Sequence, residues 1–160
     1  MKTPVYKRIL AVLLPLAAVA ALLAAWAGCL AEAPGPDGYA GATVLINELC
    51  AKNLTGVTDN EGNTADWVEL INVSGQDIVL DGWGLSDDPD RPFRWTFPEG
   101  TTLSGGANNI LLIFADGQDG YDGAGNLHAK FSLSRTGETL VLTAPDGTTV
   151  DELEYPAHGV

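Results

Sequence analysis

Asp66-Trp67-Val68-Glu69-Leu70-Ile71-Asn72, answered soon after by Gly82-Trp83-Gly84-Leu85-Ser86-Asp87, is the stretch that decides how this chain folds. Each half reads as a short β-strand. Side chains alternate along a strand, so Val68, Leu70 and Asn72 share one face of the first. Between the halves lie a polar turn, Ser74-Gly75-Gln76-Asp77, and a short apolar segment, Ile78-Val79-Leu80. Upstream, Thr43–Leu49 alternates with Val44 and Ile46 on one face, and Ala51–Ala65 is a polar loop. Downstream, two prolines stiffen the acidic turn Asp87-Asp88-Pro89-Asp90-Arg91-Pro92. Phe93–Phe97 alternates aromatic with polar residues, as a half-buried strand does. Thr101–Leu103 follows. Asn109–Ala115 holds the most apolar run, Ile110–Phe114, which reads as a central strand buried on both faces. Asp116–Asn126 is a long Gly- and Asp-rich loop. Leu127–Leu133, Glu138–Ala144 and Thr148–Tyr155 complete a set of about nine strands, joined by turns and without an amphipathic helix or an internal repeat. The expected architecture is an antiparallel β-sandwich. Trp67, Trp83 and Trp95 are its large core or rim residues.

The totals agree with one domain of ordinary size. The chain has 160 residues, 46% hydrophobic and 18% charged, with 19 Gly and 9 Pro, which suits a turn-rich all-β fold. Formal net charge is −13, and residues 1–28 hold Lys2, Lys7 and Arg8 but no acid, so the remainder carries −16. Such a surface repels phosphate backbones, and no nucleic-acid partner is expected unless cations bridge the two. It attracts Ca²⁺ and basic partners.

Met1–Arg8 is basic and Ile9–Ala27 almost wholly apolar, the pattern of an export signal. The run is also long enough to span a membrane, so a retained anchor helix competes with a cleaved signal. Trp26-Ala27-Gly28-Cys29 resembles the lipobox of bacterial lipoproteins, with Trp26 standing where Leu is usual. That resemblance implies cleavage before Cys29 and lipidation of its thiol; a conventionally cleaved signal with an incidental Cys29 is the plainer alternative. Residues 1–28 are thus read as a signal peptide, 29–42 as a flexible tether containing Ala-Pro-Gly-Pro-Asp-Gly, and 43–160 as the folded domain. All three readings place the domain outside the cytoplasm. Cys50 is expected as a small buried thiol, and a Cys29–Cys50 disulfide requires that lipidation fail.

A more specific likeness runs from about Thr43 to Tyr155. Ile46-Asn47-Glu48, Asp66–Asn72, Leu80–Asp87, Trp95-Thr96-Phe97-Pro98, Leu127-His128, Phe131-Ser132-Leu133-Ser134 and Gly137-Glu138-Thr139-Leu140 together resemble the lamin tail domain in its bacterial form. The resemblance implies an immunoglobulin-like sandwich, exported, acting in binding or adhesion rather than catalysis. It also implies company: such domains accompany a CotH-type kinase, a secreted nuclease or phosphatase, or other surface modules.

Three acidic groups are candidate Ca²⁺ ligands, because hard oxygen donors on turns are what Ca²⁺ takes: Asp59, Glu61 and Asp66; Asp87, Asp88 and Asp90; Asp116, Asp119 and Asp122. None has EF-hand spacing. The commoner use of such Asp residues is to bond their own turns, and that is the expected use here. Trp67 and Trp83 could form an aromatic platform for a sugar or peptide, but strand aromatics mostly serve burial. Asn72, on the face of Val68 and Leu70, needs partners for its amide, and the following turn offers them. Asn53-Leu54-Thr55 and Asn72-Val73-Ser74 match a glycosylation sequon that carries no weight in a bacterial lipoprotein. Glu48 and Glu69 can be drawn as an acid/base pair, and His128 as a base without an identifiable orienting partner. There is no Gly-rich phosphate loop, nucleophile elbow or zinc spacing, so no residue is assigned a catalytic role. The expectation is a membrane-tethered, non-catalytic module for a cell-surface protein or envelope glycan, with Ca²⁺ as a candidate loop-ordering ion. The alternative is the accessory domain of a surface enzyme whose catalytic part is absent from this chain.

Overall fold

The computed structural model describes residues 6–7 and 43–157. The rest of the signal or anchor segment, Cys29 and the tether to residue 42 lie outside them, as does His158. No helix occurs among the described residues, and none is therefore long and apolar enough to cross a membrane. The strands are β1 (Tyr6–Lys7), β2 (Val44–Cys50), β3 (Trp67–Asn72), β4 (Ile78–Val79), β5 (Gly84–Ser86), β6 (Trp95–Thr96), β7 (Thr102–Leu103), β8 (Ile110–Ala115), β9 (Gly120–Tyr121), β10 (Leu127–Ala129), β11 (Gly137–Thr143) and β12 (Thr149–Pro156).

Two sheets make the sandwich, in the orders β1-β2-β3-β8-β10-β9 and β12-β11-β5-β6, and β4 and β7 form a small third pair. The quoted stretch sits at the centre. Its even positions Val68, Leu70 and Asn72 are at most 1% exposed. They face the main core together with Val44, Ile46, Ile113 and Ala129 of the first sheet and Leu85, Trp95, Leu140, Leu142, Leu153 and Tyr155 of the second. Trp67, on the other face of β3, packs with Cys50 and Phe114 in a smaller cluster. Trp83 is half-buried against the main core.

Among the described residues, every strand pair is antiparallel except one: β10 runs parallel to β8, His128 opposite Phe114 and Ala129 opposite Ala115. This departs from the purely antiparallel sheet expected. Parallel neighbours need a long crossover, and the Gly- and Asp-rich segment 116–126 supplies one, with β9 inside it as an unexpected edge strand. Two further differences concern extent. Only the second half of β8 is fully buried, Ile110 being 49% exposed, because the strand begins at the rim beside the Asn72 turn. The strand expected over Leu127–Leu133 stops at Ala129 and continues as a single bridge from Ser132 to Asp116.

One contact joins the two sheets at their edge. The register of β2 on β3 shifts between Ile46 and Glu48, a β-bulge at Asn47. Beside it, the Ile46 amide donates to the Asp151 carboxylate of β12 at 2.7 Å. A buried carboxylate thus takes a backbone donor where strand pairing lapses.

Candidate functional site

The chemistry-bearing residues gather where the loop of residues 51–66, after β2, meets the crossover 116–126, after β8. At their centre is His128 on β10, 2% exposed, its ring 5.7 Å from that of Phe114. Asp116 directly follows β8, so the parallel register carries its carboxylate beside the imidazole. Asp116 Oδ2 lies 2.9 Å from Nδ1 and Asp122 Oδ2 lies 3.2 Å from Nε2. A carboxylate can only accept, so the arrangement is satisfied in full when the ring is protonated and donates from both nitrogens. Burial opposes that charge and is the largest single influence. The hydrogen bonds and charges of Asp122 and Asp116 together outweigh it and lift the His128 pKa above its ordinary value. Asp122 is held well below the usual carboxylate range, first by the Asn126 side chain and then, against desolvation, by the Asn126 amide, His128 and the Ala124 amide.

The partner loop is built the same way. Asp59 Oδ1 accepts from the amides of Glu61 and Asn63, and Oδ2 from the Asn63 side chain. Its pKa is lowered, chiefly by that side chain. Asn60 then clasps the other loop: its amide donates to Asn126 Oδ1 at 3.0 Å and its side chain to the Ala124 carbonyl at 2.9 Å. Asp66 accepts from the Asn53 amide, and the Asn53 side chain donates to the carbonyls of Val57 and Ala65. Asp119 reaches across to the second sheet, taking the Trp95 indole N–H at 3.1 Å and Lys130 Nζ at 2.9 Å. The Lys130 bond is the main reason its pKa is lowered.

Two of the three acidic groups therefore meet, through Asn60. The third closes on itself: Arg94 Nη1 spans both Asp87 oxygens at 2.6 and 2.7 Å, Arg91 Nε meets Asp88 Oδ2 at 2.7 Å, and the Asp90 amide donates to Asp88 Oδ1. Glu61 and Asp90 are exposed. Among the described residues, no three His, Cys, Asp or Glu side chains come together as a group that could hold a metal ion.

The remaining sequence candidates are placed as follows. Glu48 and Glu69 are cross-strand neighbours on β2 and β3, and Glu69 accepts the Asn47 side chain at 2.5 Å. Asn72 donates to the carbonyls of Gln76 and Leu103 and accepts from the amide and hydroxyl of Ser74. Trp67 is 4% exposed and its indole nitrogen has no hydrogen-bond partner. Cys50 is a buried thiol whose pKa burial pushes up. The orienting partners of His128 escaped the sequence because they lie six and twelve residues upstream in a loop, with no motif to mark them.

A second network was also illegible. The Tyr155 hydroxyl, on β12, lies 2.6 Å from Glu138 Oε1 and 3.0 Å from the Ser134 carbonyl, while the Ser134 amide donates to the same Glu138 oxygen. Burial raises the Glu138 pKa, against the lowering effect of these donors. It raises that of Tyr155 too, helped by Glu138. The tie needs Gly137 beside it. At φ +87°, a Cβ there would sit 2.7 Å from the Ala157 nitrogen and the Tyr155 carbonyl.

A family model described as Lamin Tail Domain matches residues 38–157. The chain belongs to the lamin tail domain family. A second comparison finds 31% identity over 122 residues with the GTPase Der of Prochlorococcus marinus (strain NATL2A). It covers 75% of this lamin tail chain, which spans about a quarter of the length of that relative, 25% of it being aligned. GTP hydrolysis is said of that protein; this sequence contains no GxxxxGK[S/T] phosphate loop.

Proposed function

We propose that this lamin tail domain is an exported, non-catalytic binding module, tethered to a membrane through lipidated Cys29, which engages a cell-surface protein or envelope glycan. The observation that supports this best is the use made of the reactive groups. His128, the one imidazole among the described residues, is buried with both nitrogens held by carboxylates, and so lacks the open position a general base needs. Asn60, bonded to Asn126 and Ala124, ties the neighbouring loop to this crossover, the preorganisation that favours binding. Ca²⁺ enters the proposal as a loop-ordering ion only where it can outcompete these internal partners.

The test is the intact mass of the membrane-extracted protein, together with its melting temperature with and without Ca²⁺. A mass of residues 29–160 plus a diacylglycerol and an acyl chain is the expected result. A chain retaining Met1 would replace the lipid tether with a membrane-spanning anchor. A rise in melting temperature with Ca²⁺ would establish a cation site by mass action on the folded state, and no shift would remove Ca²⁺ from the proposal.

A further inference from the structure

The two ends of this sandwich differ in charge. Residues 43–47, 70–76 and 100–115 hold no charged side chain, although the chain after residue 28 carries −16. Strand register brings parts of these segments to one end. Val44 lies opposite Asn72 and Ile71 opposite Ile110. The Val73 amide donates to the Thr43 carbonyl at 3.0 Å, and the Asn72 amide to the Asn109 carbonyl at 2.8 Å. The turn after β3 and the turn before β8 pack on each other there. A Cβ at Gly105 would overlap the Gln76 backbone, and the Gly105 amide donates to Asp77, the one charged residue of the two turns. This braced end carries two exposed aliphatic side chains, Ile110 at 49% and Val73 at 42%. They continue the outer face of the first sheet beside half-buried Ile71, where an antiparallel sheet in water ordinarily places polar groups. The opposite end holds the loops of residues 51–66 and 116–126, with Asp59, Glu61, Asp66, Asp116, Asp119 and Asp122. Leu54 and Val57 are exposed in the first of those loops, but in the company of these acids.

We propose that the uncharged end is the surface on which the anchored domain rests against its membrane, with the two acidic loops turned outward. This rests on the membrane tether proposed above, and it holds for a lipidated Cys29 and for a retained anchor helix alike, since both put the bilayer next to residue 29. The occupant follows from where the chain enters the fold. The tether of residues 29–42 leads into Thr43, at the uncharged end. As a flexible coil it spans about 20 Å. Turning the acidic end to the bilayer would take it back along the seven residues of β2, about 24 Å further. Charge sets the same orientation, because anionic head groups repel the acidic loops and exact no such cost from Val73 and Ile110. The tether also keeps the local concentration of the domain at the surface high, so that a small apolar contact suffices to orient it. The loops clasped by Asn60 then face whatever lies beyond the membrane.

The experiment uses the membrane-extracted chain in vesicles of phosphatidylcholine and phosphatidylglycerol that carry a nitroxide on a lipid head group. An environment-sensitive fluorophore is attached to Ala107→Cys, at the uncharged end, or to Glu61→Cys, at the acidic end. Both positions are exposed and Cys50 is buried; where intact mass shows Met1 retained, Cys29→Ser is added to keep the label unique. Nitroxide quenching and a blue shift are expected at Ala107→Cys, and neither at Glu61→Cys. Adding Val73→Glu and Ile110→Glu should abolish both signals at Ala107→Cys while the anchor and the melting transition persist, since both side chains are exposed. Equal quenching at the two positions, stronger quenching at Glu61→Cys, or quenching indifferent to the double substitution would overturn the proposal. A blue shift at Ala107→Cys that grows with protein density and ignores the nitroxide would also overturn it, and would assign this end to a second copy of the chain. Intact mass reads the anchor separately. An anchored chain without quenching overturns the resting surface and not the tether. A chain with neither lipid nor Met1 overturns the tether, and this surface with it.

Discussion

Replacing Tyr155 with Phe isolates the tie between β12 and the turn before β11. The ring stays, so the core keeps its volume around a residue that is 1% exposed. What goes is one hydroxyl that lies against two acceptors, Glu138 Oε1 at 2.6 Å and the Ser134 carbonyl at 3.0 Å. A hydrogen bond to a charged group contributes about 1.5–3 kcal/mol when its partner is removed, and one to a neutral group about 1. Glu138 is half-buried and keeps its bond from the Ser134 amide, which argues for the low end, about 1.5–2 kcal/mol at pH 7. For a domain this size that lowers the melting temperature by roughly 5–10 °C. The penalty should depend on pH in a definite direction. The folded pKa of Glu138 is raised, so its ionisation costs stability as pH climbs from the ordinary Glu range through the folded value. The Tyr155 hydroxyl offsets part of that cost by lowering the pKa. Without it the folded pKa rises further, so the gap between wild type and Tyr155→Phe should widen from pH 4 to pH 7. In a Glu138→Gln background the gap should shrink to about 1 kcal/mol and lose its pH dependence. Urea unfolding followed by tryptophan fluorescence at both pH values measures all four proteins. A penalty that is equal at pH 4 and pH 7, or larger at pH 4, would refute the account.

Three further expectations come from the same structure. His128 has a raised folded pKa, so its contribution is complete below about pH 6.5 and is lost as pH rises through the folded value; thermal melts of wild type should fall over that window, and those of His128→Gln should be flat and lower at pH 6. Asn72→Ala removes two donor and two acceptor contacts of a residue 1% exposed, which should cost about 2–4 kcal/mol in denaturant unfolding. Gly137→Ala meets backbone at 2.7 Å while Gly147→Ala, at nearly the same φ, meets nothing within 4 Å; the second should cost only the strain of about 1–2 kcal/mol and the first clearly more, read as a difference in melting temperature.

The fold was legible because its main signal is local. Val68, Leu70 and Asn72 alternate with Trp67, Glu69 and Ile71, and that period alone assigns β3 its two faces. The Trp83-Gly84-Leu85 run marks β5 equally well. The parallel step from β8 to β10 was not legible. Strand direction depends on where a long loop returns, and the apolar content of Ile110–Phe114 suits a parallel or an antiparallel neighbour alike. The candidate site was legible as residue types and not as pairs. Aspartates on Gly-rich loops stand out in the sequence, but which of them reaches His128, Asn63 or Arg94 is fixed by turn geometry and by loops 66 residues apart in the chain. Tyr155 and Glu138 are 17 residues apart on neighbouring strands, and nothing in either segment alone announces the bond.

The Asp151–Ile46 contact couples residues 105 positions apart, and it has a consequence in time. Ile46 lies in the first long strand of the folded region, and Asp151, Leu153 and Tyr155 lie in the last. The core therefore lacks a wall until β12 has left the ribosome. A chain emerging from its N-terminus stays open through nearly all of its synthesis, since long-range closure must wait for both partners. Under the export proposed above, that delay gives the last strand the role of a latch, which closes the domain once residue 151 has crossed.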